Sequence, residues 1–254
     1  MHVQVLTIFP ELFASFCSTS LVGRGIESGR LAVAVRDLRD FATDRHRTVD
    51  DVPYGGGGGM VMTAPVWLRA VRALAAETNP WRILLSPQGR RLDDAKVREL
   101  AARPALLLLC GRYEGLDERV REKVVDEEIS IGDYVLSGGE LPAMVLIEAL
   151  SRQIPGVVQQ AESVAQESFR SGLLDYPHYT RPPEVEGSRV PEVLSSGDHA
   201  AIERWRLRAA LRATLAKRPD LLDGARLEPR LRRELEALRA EAEMERGVAP
   251  KLGE

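Results

Sequence analysis

The sequence is short of cysteine, has no long apolar run and carries no excess of positive charge, and each shortage narrows the field. Two cysteines, Cys17 and Cys110, among 254 residues do not make the disulfide framework of a small secreted domain. Cys110 closes an apolar run and reads as a small core residue. Unpaired thiols fit a cytoplasmic setting. No apolar stretch approaches the roughly 20 residues that cross a bilayer, so no membrane partner is expected. The opening Met1-His2-Val3-Gln4-Val5-Leu6 has neither a basic segment nor a small-residue cleavage site. It reads as a buried strand and not as a signal peptide. The four histidines, His2, His46, His178 and His199, are scattered and give no sign of a Cys/His metal site. Net charge is −3; a nucleic-acid partner would therefore be held by local basic patches and not by total charge.

What is present is ordinary globular composition, 44% hydrophobic and 29% charged, in a chain long enough for one large domain plus a small one. Strand-like and helix-like segments alternate. Residues 3–8, 31–35, 83–85 and 105–110 read as strands, with 127–131 and 134–136 as shorter candidates. Residues 105–110 are apolar throughout, the pattern of a strand buried on both faces. Helices are predicted over residues 64–76 with Pro65 at the start, from Asp93 or Asp94 to about Arg103, and over 141–153 opened by Pro142. This alternation argues for an α/β fold with a parallel sheet covered on both faces. Residues 159–172 are polar and aperiodic and read as a linker. Beyond them a small all-helical unit is expected: one helix over residues 199–217, capped by Asp198 or Ser195/Ser196, and another over 228–245. No internal repeat is visible.

In parallel sheets, ligands bind beyond the carboxyl ends of the strands. Three loops fall there if the strands are adjacent: Ser86-Pro87-Gln88-Gly89, Gly111-Arg112-Tyr113-Glu114-Gly115 and Ser137-Gly138-Gly139-Glu140. The second lacks both Gly-Lys-Ser/Thr and Gly-x-Gly-x-x-Gly spacing, so it is neither a P-loop nor a dinucleotide fingerprint. It reads either as a cradle for a flat, hydrogen-bonding ligand or as a plain strand-to-helix turn. The segment from Ile131 to Glu140 holds three glycines, a tyrosine and two carboxylates in ten residues. Close backbone packing and ligand contact both account for that density, and free backbone N–H groups lie just before the helix. The five glycines at 55–59 are either a flexible linker or a loop whose backbone approaches a ligand, a base or another chain. Arg152 ends a helix, where its charge also complements the helix dipole, and Glu167 sits in a polar stretch as a solvated acid would. Tyr176-Pro177-His178-Tyr179-Thr180-Arg181-Pro182-Pro183 offers rings able to stack on bases, or a structured domain entry. Arg204, Arg206, Arg208, Arg212, Lys217 and Arg218 form a basic helix face suited to phosphates or simply to solvent.

Taken in order, these motifs resemble the TrmD-type bacterial tRNA (guanine-N1)-methyltransferases of the SPOUT class. The resemblance runs over nearly the whole chain: Ile8-Phe9-Pro10-Glu11, Tyr54 through Met60, Leu85 through Gly89, Cys110 through Arg119, Ile131 through Pro142, Gly172 through Pro182, Ser196-Gly197-Asp198-His199 and Arg204-Trp205-Arg206. It implies a sheet threaded by a trefoil knot, a homodimer with the active site at the subunit interface, S-adenosylmethionine as methyl donor, and magnesium, for which no ligands can be named. Cofactor contacts are implied at Leu85, Ser86, Gly111, Tyr113, Glu114, Ile131, Gly132, Tyr134, Leu136, Gly138 and Gly139. Gly58, Gly59, His178, Tyr179 and Arg181 are candidate substrate contacts. The family's catalytic arginine falls on Arg152 and its general base, from the partner subunit, on Glu167. The implied division is a cofactor domain at 1–159, a linker carrying the base at 160–172 and a tRNA-binding unit at 173–254. Three positions depart from the usual pattern: Glu167 stands where aspartate is usual, Gly58 where proline is usual, and Tyr176 where cysteine is frequent.

The implied reaction is methyl transfer to N1 of the guanosine 3′ to the anticodon, position 37 of the tRNA. The rivals are a knotted methyltransferase acting elsewhere on RNA and a non-catalytic RNA-binding protein that keeps a nucleoside pocket. Mapping the methylated nucleotide separates the first rival, and a methyl-transfer assay separates the second.

Overall fold

The computed structural model describes residues 1–158, 167–223 and 229–248. It divides into two compact units, Met1–Ala161 and Glu162–Glu254. In the first, five strands form one parallel sheet: β1 (His2–Thr7), β2 (Ala32–Asp37), β5 (Trp81–Arg91), β6 (Ala105–Cys110) and β7 (Glu127–Ser130), in the order β2-β1-β6-β5-β7. A separate two-stranded piece pairs β3 (Asp50–Asp51) with β4 (Val61–Met62).

The apolar run at 105–110 is the central strand, buried on both faces as its composition predicts. Its side chains alternate between two cores, as a period of two requires. Leu106, Leu108 and Cys110 pack with Val3 and Val5 against α6 (Glu140–Ser151) and α4 (Asp94–Ala101). On that face lie also α1 (Phe13–Ser18) and α2 (Ser20–Glu27), two short helices that the sequence reading did not anticipate. Leu107 and Leu109 pack with Leu6 and Ile8 against α3 (Ala64–Thr78) and α5 (Glu118–Val124). Helix starts follow the sequence signals. Pro65 stands in the first turn of α3, and the Asp93 carboxylate accepts from Lys96 N at 2.7 Å at the start of α4.

Two strand expectations change. The strand predicted at 83–85 does not stop at Ser86. Its pairing with β7 shifts from Leu85↔Ile129 to Arg90↔Ile129, so residues 86–89 bulge out and the chain then rejoins the same neighbour. Gly89 permits this, because a Cβ there would collide with the backbone of Glu128 and Ile129. The strand predicted at 134–136 is absent. Its residues are exposed, and Tyr134 N turns back to Gly132 O at 3.0 Å. These apolar side chains line a pocket and not the core.

The second unit has its own core of Leu173, Ala210, Leu211, Leu222, Leu235 and Leu238. It is built on α7 (His199–Lys217), whose Asp198 cap accepts from Ala201 N at 3.0 Å, and on α8 (Pro229–Val248). A two-residue hairpin pair, β8 (Glu184–Val185) and β9 (Ser188–Arg189), precedes them. Of the predicted linker, residues 159–166 lie outside the described residues. Residues 167–172 form turns in which Arg170 N meets Glu167 O at 3.2 Å and Phe169 N meets Leu173 O at 2.7 Å. Among the described residues no helix is long and apolar enough to cross a membrane.

Candidate active site

Strands β6, β5 and β7 are neighbours and parallel, so the loops after them emerge on one rim of the sheet. They enclose a pocket of about 300 Å³. Leu85 and Ser86 line it from the bulge in β5, and Gly111, Tyr113 and Glu114 from the loop after β6. Ile131, Gly132, Tyr134, Leu136, Gly138 and Gly139 line it from the segment after β7. The structure thus gathers all eleven positions into one cavity.

The glycines are where backbone must approach backbone. Gly139 N donates to Gly111 O at 3.0 Å, and a Cβ on Gly139 would lie 2.7 Å from the Cα of Cys110. Gly138 bridges Arg112, and a Cβ there would strike the Arg112 side chain. The segment after β7 is therefore tied to the end of β6 although no strand leads into it. Tyr113, at φ 60°, and Gly115, at φ 116°, turn the second loop. That loop is laddered to residues 60–62: Glu114 N to Met60 O at 3.0 Å, Met62 N to Gly115 O at 2.9 Å and Asp117 N to Met62 O at 2.9 Å. The ladder holds the end of the five-glycine run at the pocket wall. Gly59 abuts the Glu114 side chain, whereas Gly58 has open space around it.

A cluster of interacting groups that the sequence reading did not assign underlies this wall. The Glu140 carboxylate accepts from Thr7 Oγ1 at 2.7 Å and from Arg112 Nε at 2.9 Å, and is 1% exposed. Thr7 Oγ1 in turn accepts from Phe9 N at 2.9 Å, and the Arg112 guanidinium sits 4.5 Å from the centre of the Phe9 ring. Arg112 lies inside a motif that the sequence singled out, yet nothing local marks its partner 28 residues away. Burial, reinforced by the Glu140 charge, pushes the neighbouring Cys110 thiol well up, so it stays protonated and unreactive.

The remaining candidates lie elsewhere. Arg152 is the C-cap of α6 in the first unit. Glu167 opens the turn at the start of the described part of the second unit. His178, Tyr179 and Arg181 are exposed in the second unit. His178 Nε2 lies 2.9 Å from Asp175 Oδ2 and its ring 4.7 Å from that of Tyr176; Tyr179 lies 6.2 Å from Trp205. On α7 part of the expected basic face is already paired. Arg208 Nη2 and Arg212 Nη2 reach the Glu241 carboxylate at 2.5 and 3.0 Å, and Arg206 reaches Glu203 at 2.9 Å. Lys217, Arg208 and Arg212 also border a cavity of about 660 Å³ with Tyr176 and Trp205. No group of three or more potential metal ligands occurs among the described residues.

A parallel sheet whose strand-end loops enclose a pocket walled largely by glycine backbone, without a phosphate-loop lysine, defines an α/β protein with a small-molecule-sized site at the carboxyl rim of its sheet. The particular family follows from comparison. Residues 1–224 match the family described as tRNA (Guanine-1)-methyltransferase TrmD, and the chain belongs to it. The tRNA (guanine-N(1)-)-methyltransferase of Aromatoleum aromaticum is 55% identical over 88% of this chain and 88% of its own length. That of Halorhodospira halophila is 52% identical over 94% of this chain and 92% of its own. The crystal structure of tRNA (m1G37) methyltransferase from Aquifex aeolicus has a TM-score of 0.72 and 40% identity, covering 87% of this chain and 94% of that one.

Proposed function

We propose that this chain is a tRNA (guanine-N1)-methyltransferase that transfers a methyl group from S-adenosylmethionine to N1 of the guanosine at position 37, 3′ to the anticodon. The observation that carries the reading is the meeting of three strand-end loops, two of them glycine-rich, in one pocket at the carboxyl rim of the sheet. The pocket suits the methyl donor. Its volume, about 300 Å³, lies in the small-molecule range. Leu85, Leu136 and Pro142 offer apolar surface for a purine, and the glycine backbones offer hydrogen bonds for its edge. Leu85, Ser86, Gly111, Tyr113, Glu114, Ile131, Gly132, Tyr134, Leu136, Gly138 and Gly139 are the proposed contacts.

S-adenosylmethionine supplies an activated methyl on a sulfonium, so the protein has mainly to orient it. The acceptor is harder, because guanine N1 carries a proton at neutral pH. Glu167 of the partner subunit takes that proton as the new bond forms. Arg152 either stabilises the negative charge that builds toward guanine O6 or orients the base and substrate. Gly58 and Gly59 bring bare backbone to the acceptor side, and His178, Tyr179 and Arg181 meet the anticodon stem-loop. Loop bases are already unpaired, which lowers the cost of bringing the guanine into a pocket. Magnesium belongs to the reading too. It commonly takes one or two carboxylates and completes its shell with water and ligand oxygens; no ligand set is assigned and no step depends on it.

The reading includes a homodimer, a trefoil knot, a cytoplasmic location and the three-part division into 1–159, 160–172 and 173–254. The return of Gly138 and Gly139 to the end of β6 supports the knot. Leu141 and Val145, four residues apart on α6 and 58% and 47% exposed, support a covering second copy. The decisive experiment is methyl transfer from labelled S-adenosylmethionine to an unmodified tRNA transcript, with mapping of the product. Transfer to N1 of residue 37 is expected. Glu167→Gln should lower the single-turnover rate by about 10²–10⁴-fold, and a wild-type rate in that variant would refute the base assignment.

A further inference from the structure

We infer that Glu140 is a positioning residue which, through Arg112, sets a guanidinium fork against the carboxylate of the bound methyl donor. This rests on the reading that the rim pocket takes S-adenosylmethionine. Glu140 is buried and does not itself line the pocket, whereas Arg112 does. The carboxylate joins three elements: β1 through Thr7, the loop after β6 through Arg112, and the first turn of α6, to which it belongs. A negative charge at that helix start is favoured by the helix dipole. Burying an ion pair is seldom the most stabilising choice for a site that apolar side chains could fill. Its placement beneath a pocket wall gives it another use.

Arg112 is fixed from several sides. Its Nε is held by Glu140 at 2.9 Å, its guanidinium stacks on Phe9 and its backbone N lies 3.2 Å from Met62 Sδ. The absent side chain of Gly138 makes room for it. Only Nε is engaged; among the described residues the two Nη groups have no hydrogen-bond partner. A planar guanidinium with its Nη donors available is the natural receptor for a carboxylate. The rest of the pocket could not serve. Its other charged groups are Glu114, Glu118, Glu128 and Arg121. Arg121 Nε is bonded to Glu118 at 2.6 Å and lies near Glu128. These acids suit the sulfonium and ammonium of a zwitterionic ligand and repel its carboxylate, which leaves Arg112 as the complementary charge.

The test compares two nucleosides in the full-length protein by calorimetry. S-adenosylhomocysteine carries the amino-acid carboxylate, and 5′-methylthioadenosine lacks it. Glu140→Gln keeps the size and the Thr7 hydrogen bond but removes the counter-charge that orients Arg112. Arg112→Lys keeps the charge and loses the fork, and it decides the matter if Glu140→Gln does not fold. Both variants should weaken S-adenosylhomocysteine roughly tenfold or more, the cost of a charge-assisted hydrogen bond, and leave 5′-methylthioadenosine within about twofold. Equal losses for the two ligands would make the network merely structural and overturn the inference. So would unchanged S-adenosylhomocysteine affinity in Arg112→Lys. Failure of the wild-type protein to bind S-adenosylhomocysteine would instead overturn the pocket reading itself.

Discussion

At Gly139 a single hydrogen in place of a side chain decides whether the pocket can form. Its N–H bonds Gly111 O, and a Cβ would sit 2.7 Å from the Cys110 Cα, part of the central strand. Backbone on both sides leaves nothing flexible to move aside. Gly139→Ala should cost about 1–3 kcal/mol, the usual penalty of overpacking, and should weaken nucleoside binding. Gly58 is the contrast. Gly55, Gly56, Gly57 and Gly59 have positive φ, but Gly58 does not, and a Cβ there meets nothing within 4 Å. Gly58→Ala should be neutral or stabilising by about 0.4–1 kcal/mol, through loss of freedom in the unfolded chain. Thermal unfolding of the two variants beside wild type separates these outcomes.

Between elements, an ion pair reinforces the start of the β5–β7 ladder. Asp126 accepts from Arg82 N at 2.8 Å, Nε at 2.7 Å and Nη2 at 2.5 Å, and its own N–H reaches Arg82 O at 2.9 Å. Burial opposes ionisation of Asp126, but the Arg82 hydrogen bonds outweigh it and hold the carboxyl below its ordinary value. A folded-state value below the unfolded one means stability present above the unfolded pKa and lost as pH falls through the folded one. The contribution should therefore fade below about pH 4. Asp126→Asn should lose about 1.5–3 kcal/mol at neutral pH and show a shallower acid decline, read from urea melts across pH 2–7. Elements of this kind differ in how well the sequence announces them. The strand Ala105–Cys110 is legible because six apolar residues leave it no face toward water. Helix α7 is legible because Asp198 caps it. Tyr134 to Leu136 misleads, since apolar residues that serve a ligand wall look like residues that serve a core. The return of β5 after Gly89 is hidden because Pro87 and Gly89 read as a strand end.

For the molecule as a whole, each glycine-rich loop is visible locally, but their meeting is not. It depends on β5 lying between β6 and β7, and on Thr7 reaching Glu140 133 residues along the chain. No window of sequence contains those distances. The division of labour between units is a separate question, and charge makes it testable. The first unit has a core on each face of its sheet, and the second has its own. The chain carries a net −3, which turns the search for RNA contacts to local cations, and those of α7 are candidates. Several of these are already paired with glutamates, which reduces what they offer to phosphates. Lys217 borders a cavity of that unit and has no ion-pair partner among the described residues. Deleting residues 173–254 should abolish tRNA binding while leaving S-adenosylhomocysteine binding largely intact. Lys217→Ala in the full chain should weaken tRNA binding and reduce the slope of log affinity against log salt by about 1, the signature of one lost phosphate contact. A truncated protein that still binds tRNA with full affinity would move the RNA-gripping role to the first unit. A salt slope unchanged in Lys217→Ala would remove that residue from the contact surface.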